Sequence, residues 1–198
     1  MTASLLNILY EGITNPIYVS VEGYSKDDIN VSAINGCTLE DISTHKKLYL
    51  LKTNGAKKET RVYVSLKTRT GRHSSLGYQT YRIRPLPILD AQLGGIKNDG
   101  KPKSIHSVRA QTSIYSSPQP SFPYQLKSLV NSYTCTIYSS GKDTSFTVNS
   151  NKISEELKWA IQPMQSGDFL AFTDINYTII NSVDSTVNIA PPIFIPIK

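Results

Sequence analysis

The feature that most constrains the fold is a series of short alternating segments separated by turn signals. In PIYVSVE, residues 16–22, the apolar Ile17, Val19 and Val21 alternate with more polar positions. This two-residue period predicts a strand that is buried on one face. Similar segments follow at residues 29–34, 47–52, 60–67 and 78–84. The first part of the chain is therefore expected to form a sheet structure.

The number and spacing of these segments indicate how the sheets are arranged. About six short strands within the first 84 residues, separated by turns such as Asn35-Gly36, are typical of a small β-sandwich of the immunoglobulin kind. The chain contains two cysteines and one tryptophan, in the order Cys37, Cys135, Trp159. That order lacks the Cys…Trp…Cys pattern of true immunoglobulin domains, so the prediction concerns architecture alone.

The second half also favours β structure. We predict strands over residues 104–115, 129–140, 144–150, 167–180 and 191–198, with a hairpin turn at residues 140–143. One short helix begins after Ser154, which can cap it, and ends before Pro163. The predicted fold class is thus all-β with one short helix, an Ig-like β-sandwich over residues 1–84 followed by a β-rich domain over residues 96–198.

Residues 85–95, PLPILDAQLGG, are predicted to be a short Pro-rich junction between these domains. Pro85 and Pro87 fix φ near −65° and lack the N–H donors that a sheet ladder needs, so the last strand should end there. Gly94 and Gly95 would permit the turn into the second domain. Two arginines end the preceding strand on its outward face. The candidate junction residues are Arg82, Arg84, Pro85, Pro87, Gly94 and Gly95.

The charge pattern bears on the class of partner. Lys and Arg number 21 against 15 Asp and Glu, which gives a formal net charge of +6. The basic residues are scattered along the chain, whereas nucleic-acid binders more often gather them on one helix or stripe with stacking aromatics. We therefore expect solvated faces and no nucleic-acid partner, with an acidic partner surface as the alternative.

Candidate catalytic and metal-ligating residues are few. His45 and His73 lie in loop-like segments and His106 lies on a predicted strand, and none has the spacing of a zinc site. Cys37 and Cys135 have no nearby histidine in sequence to act as a base. No catalytic residue, metal site, cofactor or small-molecule substrate is predicted, which favours a binding or structural protein.

Three tyrosines are the remaining candidates for function. Tyr18, Tyr63 and Tyr138 fall on the predicted polar side of their strands. Amphipathic aromatic side chains on a sheet face often contact a partner. The alternative is cross-strand packing on a solvated face. We treat the three as a possible interaction surface.

Four segments, in the same order along the chain, resemble a known family. They are LYEGITNPIYVSVEGYSKDDINVSAING at residues 9–36, YRIRPLPILDAQLGG at 81–95, Arg109-Ala110-Gln111, and QSGDFLAFTDI at 165–175. Each is similar to a segment in the periplasmic C-terminal region of the gliding-motility protein GldM, called PorM in non-gliding relatives. Together they span nearly the whole chain.

The resemblance implies a non-enzymatic component of type IX secretion and gliding motility. Members of the family are anchored by an inner-membrane helix and cross the periplasm as a homodimer. They couple an inner-membrane, proton-driven motor subunit to an outer-membrane-associated ring lipoprotein and its partner subunit. The anchor and the helical domain have no counterpart in these residues, so a C-terminal fragment or a stand-alone version is expected.

Two other classes of function are compatible with the residues. A cell-surface adhesin or carbohydrate-binding β module would use the tyrosines and requires aromatic side chains that line one groove. A hydrolase with a hidden site requires a histidine that faces a carboxylate or a thiol in a cleft.

Overall fold

The structure is a computed structural model of the 198-residue chain. It describes residues 7–42, 48–53, 55, 57–67, 73–180, 182 and 186–198. The chain divides into two compact units, the first running to Leu86 and the second beginning at Pro87. Each unit is considered below by itself.

The described part of the first unit contains seven strands. They are β1 (Ile8–Tyr10), β2 (Thr14–Tyr18), β3 (Ile29–Ala33), β4 (Cys37–Asp41), β5 (Leu48–Thr53), β6 (Glu59–Lys67) and β7 (His73–Arg84). Four form one sheet in the order β1-β7-β6-β3, and three form another in the order β2-β5-β4. The β1 and β7 strands run parallel, and the other neighbours are antiparallel.

The core of the first unit lies between these two sheets. It is built from Leu9, Ile17, Val19, Ile29, Tyr49, Leu51, Val62, Val64 and Tyr81, which both sheets contribute. The alternation in residues 16–22 and 60–67 therefore has the predicted cause, because every second side chain enters this core. The unit is an Ig-like β-sandwich, as the sequence predicted.

A buried polar side chain fixes the entry into this sandwich. Asn15 is fully buried, and its Oδ1 accepts a hydrogen bond from the Tyr10 backbone N–H at 2.8 Å. Its Nδ2 donates to the carbonyl oxygens of Tyr10 at 2.9 Å, Ile13 at 3.0 Å and Leu51 at 3.3 Å. The amide thus joins the turn between β1 and β2 to β5, and its burial is stable because its polar groups have partners.

The strand predicted over residues 78–84 is longer in the structure, where β7 already begins at His73. Residues 73–76 are all exposed, so they lack the alternation by which a strand is recognised from sequence. Their strand geometry comes from pairing with the far end of β6, where Lys67 lies opposite His73. An irregularity in the register opposite Val64 and Ser65 accommodates the extra residue, Leu76.

The second unit contains a larger sheet and a two-stranded one. Its described strands are β8 (Asp90–Leu93), β9 (Ile114–Ser117), β10 (Ser128–Ser139), β11 (Lys142–Val148), β12 (Phe169–Ile179), β13 (Val187–Ala190) and β14 (Ile193–Pro196). In the larger sheet, β11, β10 and β12 are successive neighbours, and β13 and β14 both pair with the other edge of β12. The β8 and β9 strands pair with each other.

Two helices accompany this sheet. They are α1 (Ile105–Arg109) and α2 (Glu155–Ile161). The predicted cap of α2 is present, because Ser154 Oγ accepts a hydrogen bond from the Leu157 N–H at 3.2 Å. Leu157 and Ile161 of α2 are buried, and α2 lies against β10. On β10, Tyr133, Cys135 and Ile137 face the core, as their alternation predicted.

The prediction of a single helix was wrong, because α1 occupies part of the segment predicted to be extended. Several features explain why the sequence concealed it. Ser104 at its start makes no side-chain cap, and its first turn holds no acidic residue. The helix has only five residues, and burial of Val108, which is 2 % exposed, stabilises it. His106 therefore lies on a helix and not on a strand.

The segment predicted as a junction contains regular structure. The boundary between the two units falls between Leu86 and Pro87, and Leu89 is already fully buried in the second unit. The Leu89 backbone N–H donates to the Tyr177 hydroxyl at 3.1 Å. The β8 strand then begins at Asp90, so the residues between Leu86 and β8 are few.

Candidate interaction surfaces

The three candidate tyrosines lie on three separate surfaces. Tyr18 is 59 % exposed on β2, and Tyr138 is 45 % exposed on β10 of the second unit. Tyr63 is half-buried on β6, in the other sheet of the first unit from Tyr18. Tyr18 and Tyr63 therefore lie on different sheets. Each of the three tyrosines points away from the core of the unit to which it belongs.

Tyr63 belongs to a larger face that the sequence analysis did not assemble. The Tyr63 ring lies 5.3 Å from the ring of Tyr78, its partner on β7. The Arg61 guanidinium lies 4.8 Å from the centre of the Tyr78 ring, within the range of a cation–π contact. A hydrogen bond with Tyr63, followed by the influence of Tyr78, raises the pKa of Arg61, which remains a cation.

The two arginines predicted at the junction extend this face. Arg82 and Arg84 alternate with the buried Tyr81 and are exposed. In the ladder, Thr80 lies opposite Arg61, and Arg82 lies opposite Glu59 on β6. We call this surface the tyrosine–arginine face, and it consists of Arg61, Tyr63, Tyr78, Arg82 and Arg84.

The tyrosine–arginine face lies on the more basic part of the chain. Residues 1–86 carry 12 Lys and Arg against 7 Asp and Glu, which gives +5 of the total +6. Five of the six arginines of the chain also fall there. Within the described part of the chain, no salt bridge engages Arg61, Arg82 or Arg84. The charges of Arg82 and Arg84 are therefore available to a partner, whereas Arg61 already contacts Tyr63 and Tyr78.

The other predicted junction residues occupy different environments. Pro85 is exposed and ends β7, and Pro87 is half-buried at the start of the second unit. Gly94 and Gly95 form the turn that follows β8, inside the second unit. Gly94 has φ +52°, and the Gly95 N–H donates to Gln111 Oε1 at 3.0 Å. This contact joins two segments that resemble GldM but are distant in sequence.

Tyr138 lines a cleft in the second unit. The cleft has a volume of about 460 Å³ and lies at the end of the larger sheet. Its walls come from the β10–β11 turn and from the turn before β12. The lining residues are Tyr138, Ser139, Ser140, Gly141, Lys142, Asp143, Gly167, Asp168 and Phe169.

The histidines and cysteines do not come together in the described structure. His73 and His106 are exposed, and His45 lies outside the described residues. Burial raises the pKa of the Cys135 thiol to about 12, so it is protonated near neutral pH. Burial also raises the pKa of Cys37, against a smaller opposing effect of a hydrogen bond with Thr60. Among the described residues, no group of three His, Cys, Asp or Glu side chains could hold a metal ion.

Neither of the two described helices has the length and apolar character that a membrane-spanning segment requires.

Comparison with known proteins relates the first unit to a family. Residues 1–84 match the model of the GldM third domain. No curated protein is significantly similar to the chain in sequence. Among solved structures, the D00-D0 domain of intimin aligns over 96 % of this chain and 95 % of its own, with 13 % identity and a TM-score of 0.30. InvD of Yersinia pseudotuberculosis aligns over 83 % of this chain and 58 % of its own, with 10 % identity and a TM-score of 0.21.

The TM-scores of both structures are too low to bear on fold or function. The family match, by contrast, covers the Ig-like sandwich from its first strand to the end of β7. It confirms the resemblance for the motifs that lie within residues 1–84, and the motifs of the second unit lie outside the match. Residues 1–84, which are less than half of the chain, are thus similar to the GldM third domain.

Proposed function

We propose that this chain is a non-catalytic structural module of a type IX secretion and gliding-motility complex. It acts in the periplasm as a homodimer and couples an inner-membrane, proton-driven motor to the outer-membrane-associated ring lipoprotein and its partner subunit. The observation that carries the proposal is the match of residues 1–84 to the GldM third domain.

We extend the proposal beyond residue 84, because two residues of the motifs in the second unit, Arg109 and Asp168, have structural roles there. Arg109 donates from Nη2 to the carbonyl oxygens of Gln162 and Met164. Asp168 Oδ2 accepts from the Gln165 N–H at 2.7 Å, within the QSGDFLAF segment. These residues stabilise turns and helix ends. The resemblance in this part of the chain therefore rests on residues that the fold needs.

The tyrosine–arginine face is the surface that we assign to the ring subunits. Arginine forms two parallel hydrogen bonds with a carboxylate, and both arginine and tyrosine are enriched where proteins contact one another. The positive charges of Arg61, Arg82 and Arg84 would favour an acidic patch on the partner.

A pull-down from a cell-envelope fraction tests the proposal. The bait is the full chain, compared with a variant carrying Arg61→Glu, Arg82→Glu and Arg84→Glu. We expect the unchanged chain to recover the outer-membrane ring lipoprotein, and the triple variant to lose most of it. The control carries Lys97→Glu, Lys101→Glu and Lys127→Glu, which make the same change of charge at exposed sites of the second unit.

The outcomes separate the parts of the proposal. Recovery of cytoplasmic proteins alone would contradict the envelope function. Equal loss of the ring lipoprotein with both triple variants would retain the function but reject the tyrosine–arginine face. Light scattering over a range of protein concentrations tests the homodimer, and a monomer at every concentration would count against it.

A further inference from the structure

The cleft at the end of the larger sheet has a chemistry that coupling between envelope proteins does not require. We propose that it binds a neutral pyranose oligosaccharide. The site consists of Tyr138 and Phe169, the carboxylates of Asp143 and Asp168, and the hydroxyls of the β10–β11 turn. Phe194 extends the aromatic row beyond the lining of the cleft.

The aromatic row is continuous across three neighbouring strands. Tyr138 on β10 lies opposite Phe169 on β12, and their ring centres are 5.7 Å apart. Phe169 stacks with Phe194 on β14, with ring centres 5.9 Å apart and planes inclined by 15°. Tyr138 is 45 % exposed and Phe194 is 44 % exposed. The row is thus an accessible apolar strip on the outward face of the sheet.

Polar groups surround one end of this strip. Asp143 on β11 lies directly opposite Tyr138, so its carboxylate shares the outward face. Asp168 immediately precedes Phe169, and its Oδ2 is held by the Gln165 N–H. Among the described residues, no hydrogen bond engages its Oδ1 or the carboxylate of Asp143. The two acids therefore have acceptor capacity left for a ligand.

The backbone holds this arrangement in place. Ser140 and Gly141 have φ +52° and +76°, as in a two-residue type I′ hairpin turn, which fixes Tyr138 and Asp143 on paired strands. On the other side of the cleft, the Gly167 N–H donates to the Ile197 carbonyl at 3.1 Å. Both walls are thus tied to the sheet, and the site is formed before any ligand binds.

The aromatic row and the neighbouring carboxylates together indicate the class of ligand. A pyranose ring offers an apolar C–H face, which suits an aromatic ring, and a rim of hydroxyls, which suits carboxylate and serine oxygens. Two carboxylates against one cation, Lys142, disfavour phosphorylated ligands, nucleic acids and anionic membranes. The volume of about 460 Å³ lies within the usual range for ligand sites, roughly 300–1,000 Å³. A neutral saccharide fits all three observations.

Isothermal titration of the full chain with chitohexaose and with cellohexaose tests the proposal. We expect binding at millimolar or lower concentration, weakened about tenfold by Tyr138→Ala, which removes one stacking ring. Asp143→Asn keeps the size of the side chain and should also weaken binding. Binding of chitohexaose alone would identify an acetamido glycan as the natural class, and equal binding of both would identify the shared pyranose backbone.

Matched controls establish that the cleft is the site. Tyr115 on β9 is 49 % exposed and Asp90 on β8 is exposed, and both lie away from the cleft. Tyr115→Ala and Asp90→Asn should leave the affinity unchanged. The proposal is overturned by the absence of heat with both sugars, or by equal effects of Tyr115→Ala and Tyr138→Ala. It is also overturned if Tyr138→Ala changes only self-association of the chain.

Discussion

Gly94 occupies a backbone conformation that other residues adopt at a cost. Its φ is +52°, and a Cβ at this position would lie 1.8 Å from Gln111 Oε1. That oxygen accepts the Gly95 N–H, and Gln111 Nε2 donates to the Ser107 carbonyl at 2.9 Å. Gln111 therefore joins the turn after β8 to α1, and the absence of a side chain at residue 94 makes room for it.

Gly94→Ala should reduce the free energy of unfolding by about 1–3 kcal/mol, because it combines left-handed strain with the collision. Gly95→Ala is the matched control, because no atom lies within 4 Å of its Cβ position. It should change stability by less than about 0.5 kcal/mol. Urea unfolding measures both.

Gln111→Ala provides a further test of the contact. If the collision contributes to the cost, Gly94→Ala should be less destabilising when Gln111 is already alanine. Equal effects of Gly94→Ala in the two backgrounds would assign its whole cost to backbone strain.

At the scale of elements, the short helix α2 depends on a side chain from outside it. Arg109, the last residue of α1, donates to the carbonyl oxygens of Gln162 and Met164, just beyond the end of α2. At the C-terminal end of a helix, the last carbonyl oxygens have no hydrogen-bond donor within the helix. The cation also lies at the negative end of the helix dipole.

Arg109→Ala should therefore destabilise the second unit by about 1–3 kcal/mol, because it removes two hydrogen bonds from a charged donor, of which the one to Met164 is partly buried. Lys158→Ala is the control within α2. Its ion pair with Glu155 is exposed, and such pairs contribute about 0.2–1 kcal/mol. Thermal unfolding of the two variants gives the comparison, and similar losses would argue against a capping role for Arg109.

The β10 strand carries two groups whose ionisation opposes folding at alkaline pH. Burial raises the pKa of the Cys135 thiol to about 12, and that of Tyr133 rises through burial and through the nearby Cys135. Both groups have higher pKa values in the folded chain than in the unfolded one. Their contribution to stability is therefore complete below about pH 8, where both groups are protonated in the unfolded chain, and declines as the pH rises toward 12.

The free energy of unfolding should fall with pH in that range, by up to about 1.4 kcal/mol per pH unit for each group. Cys135→Ala removes one of these two groups, so the slope should become shallower by up to about 1.4 kcal/mol per pH unit. Cys37→Ala should change it less, because Cys37 is only half-buried and its hydrogen bond with Thr60 opposes the rise in pKa. Denaturant unfolding at several pH values measures the slopes, and identical slopes for the two variants would contradict the assignment.

At the scale of the whole molecule, the connection between the two units contains two prolines. Pro85 closes the first unit and Pro87 opens the second. Each fixes one φ angle, whereas glycine would leave it free. We therefore predict that the junction is stiff.

A variant with Pro85→Gly and Pro87→Gly should keep both units folded and broaden the distribution of distances between them in small-angle scattering. Pro118→Gly with Pro120→Gly, in the loop after β9, is the control and should not change the scattering profile. An unchanged profile for the junction variant would show that packing, and not the prolines, restrains the units.

The sequence by itself determined the local features of this protein. The alternation of apolar and polar residues predicted most strands of both units. Ser140-Gly141 predicted the hairpin turn, and Ser154 predicted the cap of α2. Each of these depends on side-chain period or backbone preference within a few residues. The order of the motifs likewise pointed to the family that residues 1–84 match.

Only the tertiary structure decided which of these elements meet. Asn35-Gly36 is a tight turn, yet it joins β3 and β4 of different sheets. The tyrosine–arginine face and the aromatic row each combine residues from separate strands, and α1 forms through burial of Val108. These features arise from contacts between residues far apart in the chain, which a period of two or of 3.6 residues does not encode.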